Sequence, residues 1–106
     1  VYAYKAMPKL EETIALVRKL NRSLAIGGIV CTMFDRRTSL SQVIESQIRE
    51  KYGDLVFKTI IPLNTKLAEA PASGQPITQY DPTSSGAHAY KHLAQEIMER
   101  FPYDAR

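Results

Sequence analysis

Apolar residues recur at helical spacing in three stretches of this 106-residue chain and run almost unbroken in two others. Leu10, Ile14, Val17 and Leu20 fall three or four apart and predict a first helix to about Asn21, with Lys9, Glu11, Glu12, Arg18 and Lys19 elsewhere on its surface. Pro8 opens that helix, since a first-turn residue needs no N–H. The next segment, Ala25–Phe34 (AIGGIVCTMF), is β-rich and apolar on consecutive rather than alternating positions, which suits a strand covered on both faces of a parallel sheet. Gly27 and Gly28 weaken its start but allow close packing. Ser39 is the expected N-cap of a second helix with Leu40, Val43, Ile44 and Ile48 as its stripe, and Gly53 stops it. A second apolar strand is expected over Leu55–Ile61. Ser84 or Ser85 caps a last helix whose Ala89, Leu93, Ala94, Ile97, Met98 and Phe101 face inward, and Pro102 ends it.

Helix, strand, helix, strand, loop and helix in that order contain a βαβ crossover, the unit of parallel α/β sheets. Two strands do not make a stable sheet alone, so the chain reads as one domain at most and as part of a larger sheet. Between the second strand and the last helix lies Thr59–Pro82 (TIIPLNTKLAEAPASGQPITQYDP), which is expected to leave its strand as a long, Pro-punctuated binding loop. Leu63, Leu67, Ile77 and Tyr80 are the residues able to pin that loop to a surface.

Composition changes this picture little. A net charge of +3 permits a polyanionic partner without requiring one. No apolar run is long enough to span a membrane, and no signal-peptide pattern opens the chain. Val1 in place of Met suggests a fragment boundary. The single cysteine, Cys31, has no internal disulfide partner and suits a reducing, cytoplasmic setting; mid-strand in an apolar run, it reads as packing rather than as a nucleophile. His88 and His92 stand four apart on the last helix, a metal-sharing interval, but Ala89 occupies the position where a metalloprotease glutamate would follow, and no third ligand is evident. No metal and no catalytic residue is assigned.

Ligands of open α/β sheets bind beyond the carboxyl ends of the strands. Here that rim is Thr32–Thr38 (TMFDRRT) and Pro62–Lys66 (PLNTK), where Asp35 and Asn64 converge. Both side chains can read the edge of a heterocycle; equally, both are frequent turn caps. Arg36, Arg37 and Lys66 add positive charge suited to phosphate, or simply to a solvated basic surface. The sequence contains no G-x-x-x-x-G-K-[ST] run, so these residues hold no cradle for a triphosphate, and no measurable ATP turnover is expected of them alone.

Three runs carry a family resemblance. GIVCTMFDRRTSLS resembles the GxLLTMxDxRTNLS segment of ParA/Soj chromosome- and plasmid-partitioning ATPases. VFKTIIPLNTKLAEAPASGQPITQYDPTSSGAHAYKHLAQEI is similar to the family's VFxTxIPRNVRLSEAPSHGKPVxxYDPxSxGAxAYxxLAxEI, and VYAYKAMPKLEETIALVRKLN to its YYALEGLxxLxxTIxxVxxxLN. The resemblance covers nearly all 106 residues and implies the C-terminal part of a deviant-Walker P-loop NTPase domain, with the P-loop half absent. It implies a parent that uses ATP and Mg, sandwiched between two protomers, although neither is expected to bind this part tightly. By the same resemblance Met33, Asp35, Pro62 and Asn64 belong to the adenine-facing rim, and Arg37 and Lys66, with Arg36 beside them, to a surface contacting the DNA backbone. Lys66 stands where Arg is usual, Leu63 replaces a usual Arg, and Thr83 and Ser85 stand where basic residues are common.

Implied partners are nonspecific DNA, bound weakly, a ParB/Spo0J-type centromere-binding protein and further copies of the chain, in a cytoplasmic, nucleoid-associated setting. Two alternatives differ in kind. One is a stand-alone ParA-like interaction module without ATPase activity, and the other a fragment of a MinD-like positioning ATPase. The amphipathic membrane anchor of the latter is not seen, because the last helix mixes both charge signs. An upstream KGGxGKT run would favour the ATPase over the module. The open apolar edge of the two strands is expected to make the isolated chain self-associate.

Overall fold

The computed structural model describes the backbone of residues 2–102 and the side chains of residues 7–102. Its elements are α1 (Tyr2–Arg18), β1 (Ile29–Phe34), α2 (Ser39–Tyr52), a short 3-10 turn (Gly53–Leu55), β2 (Val56–Pro62), α3 (Thr65–Ser73), α4 (Ile77–Tyr80) and α5 (Ser85–Arg100). β1 and β2 pair in parallel, joined by α2 as the crossover, so the α/β expectation holds.

α1 begins well before Pro8, which lies inside it. Proline there removes one interior N–H, but the alanines upstream favour helix and carry it back to Tyr2. At its other end the helix tightens into i→i+3 turns through Lys19 and Leu20, and the Asn21 carboxamide accepts from the Ser23 amide and hydroxyl. β1 is shorter than the apolar run that predicts it. Its ladder starts only where Ile29 meets Val56, the first residue of β2, so Ala25–Gly28 have no strand to pair with. Gly28 instead allows a close approach: a Cβ there would overlap the Phe57 ring and the Arg100 guanidinium.

Thr38, not Ser39, caps α2, with its hydroxyl accepting from the Ser41 amide at 3.3 Å. Gly53 ends the helix at φ 55°, a conformation that favours glycine.

The long binding loop does not exist as such; most of Thr59–Pro82 is β2 and two helices. The Asn64 side chain accepts from the Lys66 amide at 2.7 Å and starts α3 over residues that favour helix. Pro71 sits in its last turns, and Gly74 closes it at φ 74°, donating to the Pro71 carbonyl. Pro76 then precedes the single turn of α4. Ala70, Ile77 and Ala87 form a small buried cluster with Leu67 and Tyr80 against it, so three of the four pinning residues do pack, whereas Leu63 stays exposed. Gly86 belongs to this contact, since a Cβ there would come within 2.6 Å of Leu67 Cγ.

α5, capped by Ser84, lies along β2. Gly86 and Ala87 are buried and Ala89 and Leu93 half-buried, but the expected inward residues Ala94, Ile97, Met98 and Phe101 are exposed. The half-buried positions further along α5 are Glu96 and Arg100. An irregularity in β2 explains this. Ile29 pairs with Val56 and Cys31 with Ile60, so two steps along β1 match four along β2, and the Lys58 and Thr59 amides leave the ladder. Glu96 receives both, at 2.8 and 2.6 Å, and the Thr59 hydroxyl as well. Burial pushes the Glu96 carboxyl up, but these hydrogen bonds and nearby Arg100 outweigh it and hold it below its usual range. Arg100 donates to the carbonyls of Gly27, Leu55 and Asp54 while stacking 4.0 Å over the Phe57 ring.

The strands were expected to be covered on both faces. Val56, Phe57 and Ile61 of β2 are buried, but β1 is only half-buried, with Thr32 and Met33 exposed. Leu10, Leu16 and Val17 on α1, Leu20 just after it, and Leu40 and Val43 on α2 are exposed. The chain presents 8094 Å² to solvent, against about 6,000 Å² for a compact monomer of its mass. Its radius of gyration is 15.8 Å, against about 13 Å for a compact chain of this length.

Candidate functional site

The two strands leave the sheet side by side. Phe34 pairs with Pro62, and the Leu63 amide donates to the Phe34 carbonyl at 2.9 Å, extending the ladder one bond past β2. That bond sets Asp35 and Asn64 at adjacent strand exits. Pro62 is half-buried at the end of β2.

Met33 stands apart. It is the non-glycine residue with positive φ, 54°, among the described residues, and it is 72% exposed. A second irregularity between Cys31 and Phe34 puts the extra residue on β1, and Met33 takes the left-handed conformation that absorbs it. Non-glycine residues in such conformations cluster at binding sites.

Asp35 is the hub of the first exit. Its Oδ1 accepts from the Arg37 amide at 3.0 Å and Arg37 Nε at 3.0 Å, while Oδ2 accepts from Arg37 Nη2 at 3.1 Å. Its own amide donates to Ser41 Oγ, and its carbonyl accepts from the Thr38 amide and hydroxyl. The Arg37 side chain, bonded first through its guanidinium and then its amide, holds the Asp35 carboxyl below the usual range and is itself raised by it. Asn64 is equally occupied: besides capping α3 it donates from Nδ2 to Ser85 Oγ at 2.6 Å, tying the second exit to the start of α5. The turn-capping role that both residues share with so many others is therefore present in this structure.

Of the basic residues, Arg36 and Arg37 are exposed on the β1 exit and Lys66 on the first turn of α3, where its Nζ lies 3.8 Å from Glu69. Sequence reasoning missed Ser41 and, although it named Ser85 as a possible helix cap, missed the bond of Ser85 to Asn64; neither hydroxyl has a signature beyond its nearness to a helix start. Cys31 lines an open cleft of about 330 Å³ between β1 and α2, with Ile29, Phe34, Ile44 and Ile48, and burial pushes its thiol up. His88 and His92 are exposed, and no group of three or more metal-ligating side chains occurs among the described residues. No helix among them is long and apolar enough to cross a membrane.

A parallel βαβ crossover with its polar rim at the strand exits is the repeating unit of open α/β sheets. The model of the CobQ/CobB/MinD/ParA nucleotide binding domain matches residues 6–77, and the chain belongs to that family. Curated relatives are similar over nearly all of it. The chromosome-partitioning ATPase Soj of Thermus thermophilus is 49% identical over 100 residues, 93% of this chain and 40% of the relative. The sporulation initiation inhibitor protein Soj of Bacillus subtilis is 43% identical, across 91% of this chain and 38% of its own length. The chromosome partitioning protein ParA of Caulobacter vibrioides is 41% identical, across 93% and 38%. The chain thus spans about two-fifths of the relatives it matches.

Proposed function

We propose that this chain is the C-terminal part of a ParA/Soj-type ATPase acting in chromosome or plasmid partitioning, and that it supplies the adenine-facing rim and a DNA-contacting surface. The Phe34–Leu63 bond carries this reading, because it sets the segments bearing Met33 and Asp35 beside those bearing Pro62 and Asn64. A base edge laid there meets the donor and acceptor groups of Asn64 and would share the Asp35 acceptors with Arg37. Arg36, Arg37 and Lys66 border the same rim and suit a phosphate backbone. ATP and Mg belong to the whole protein, whose phosphate site lies outside residues 1–106. Partners in this reading are nonspecific DNA, a ParB/Spo0J-type centromere-binding protein and further copies of the chain, in a cytoplasmic, nucleoid-associated setting.

DNA titration tests the reading. Binding of a short duplex should be weak, indifferent to sequence and steeply salt-dependent. Lys66→Ala and Arg36→Ala should each lower the salt slope by about one. Affinity unchanged after both substitutions would overturn the DNA assignment. Calorimetry with ATP tests the rim: weak binding that Asn64→Ala removes is expected, and sub-micromolar affinity would reveal a phosphate site within these residues.

A further inference from the structure

We propose that Asp35 is an internal competitor of DNA phosphate for Arg37, so that the rim holds its own arginine until that carboxylate is engaged or removed. This rests on the reading of the rim as a phosphate-contacting surface. The observation behind it is the clamp. Both carboxylate oxygens of Asp35 are taken by Arg37, through Nε at 3.0 Å and Nη2 at 3.1 Å, in the paired-fork geometry that a phosphate would otherwise occupy. The arginine is not buried; its side chain is 84% exposed, while that of Asp35 is 21% exposed. Solvent and a polyanion therefore reach the guanidinium freely, and what stands between it and a phosphate is a pre-placed carboxylate.

The carboxylate is also unable to turn away. Its Oδ1 also accepts from the Arg37 amide, while the Ser41 and Thr38 hydroxyls hold the Asp35 backbone on its N–H and C=O sides. The neighbouring cations are arranged differently. Lys66 has only a long contact to Glu69 at 3.8 Å, and Glu69 also accepts from the Tyr80 hydroxyl at 2.9 Å. The rim thus presents a loosely held lysine beside a clamped arginine. A donor group that engages Asp35 from the rim side releases Arg37, and by reciprocity phosphate on Arg37 frees Asp35 for that donor.

The experiment is a two-residue cycle in the whole chain, read by duplex-DNA anisotropy across a range of salt. Asp35→Asn keeps an acceptor for the Arg37 amide and so preserves the turn. It is expected to tighten binding about two- to five-fold, the range for an exposed ion pair, and to steepen the salt slope by about one. Adding Arg37→Ala should abolish that gain. A gain that survives in the double variant reflects net charge alone and overturns the proposal, as does unchanged or weaker binding by Asp35→Asn. Lys66→Ala separates the two levels: if it weakens binding while Asp35→Asn does nothing, the DNA reading stands and the clamp falls. A second readout needs no DNA. The Arg37 Nε–H should exchange with solvent more slowly than that of Arg36 and lose this protection in Asp35→Asn; equal exchange of the two arginines in the unaltered chain overturns the proposal.

Discussion

The two strands of the sheet live in opposite circumstances. β2 is fastened: Glu96 takes its two free amides, Arg100 reaches the carbonyls where both strands begin, and Val56, Phe57 and Ile61 are buried. β1 is fastened on one edge only, and Leu10, Leu16 and Val17 of α1, Leu20 just beyond it, and Leu40 and Val43 of α2 are exposed. The same apolar composition therefore has two energetic meanings. Around β2 it is a core, and around β1 it is exposed surface. Stability should reside on the first side and association on the second.

Association is the largest effect expected. At tens of micromolar, about the range where exposed apolar edges associate, sedimentation should show species larger than a monomer. A stable, well-folded monomer would dissolve the contrast, because β1 would then be self-sufficient. Ile61→Ala comes next. Ile61 is 2% exposed, and its truncation should destabilise the chain by about 2–5 kcal/mol in denaturant unfolding. Glu96→Ala should follow at about 1–3 kcal/mol, since it strands the Lys58 and Thr59 amides.

Glu96 also sets a pH signature. Its folded pKa lies below the unfolded one, so its contribution is complete above the ordinary Glu value of about 4.3 and drains away as pH falls through and below it. Unfolding curves for Glu96→Gln should be flatter than those of the unaltered chain over that acidic window; parallel curves would remove the carboxylate from the account. Smallest of all is Leu20→Ser. Leu20 is 93% exposed, so the change should move stability by no more than about 0.5 kcal/mol.

Sequence reading did well where one force dominates. The apolar run of β2, the extent of α2 and the Ser84 cap are local signals, and each lands within a residue or two of the structure, although Leu40 and Val43 of the α2 stripe are exposed. It failed where two signals compete. Pro71 and Pro76 read as loop punctuation, yet the Asn64 cap and the helix-favouring residues after it outweigh them, so α3 and α4 were missed. The inner face of α5 was misjudged for a different reason. Its place against β2 is set by an irregular ladder whose unpaired amides call for a carboxylate, and no period in the α5 sequence records a bulge in a distant strand. At the rim, position was legible and occupancy was not. Asp35 and Asn64 stand where the topology puts them, but their hydrogen bonds to Arg37 and Ser85 are known only from the structure.

The latch formed by α5 also dictates an order of events during synthesis. Its bonds join residues far apart along the chain: Glu96 reaches back 37 positions to Thr59, and Arg100 reaches back 73 to Gly27. Contacts of such long sequence separation close late in folding. A nascent chain leaving the ribosome can wind α2 and bring β1 against β2 early, but the bulged stretch of β2 keeps its amides wet until Glu96 has emerged. For that interval the pair is a half-made sheet with both edges bare, the moment at which a chaperone, a protease or a neighbouring chain would find it most easily.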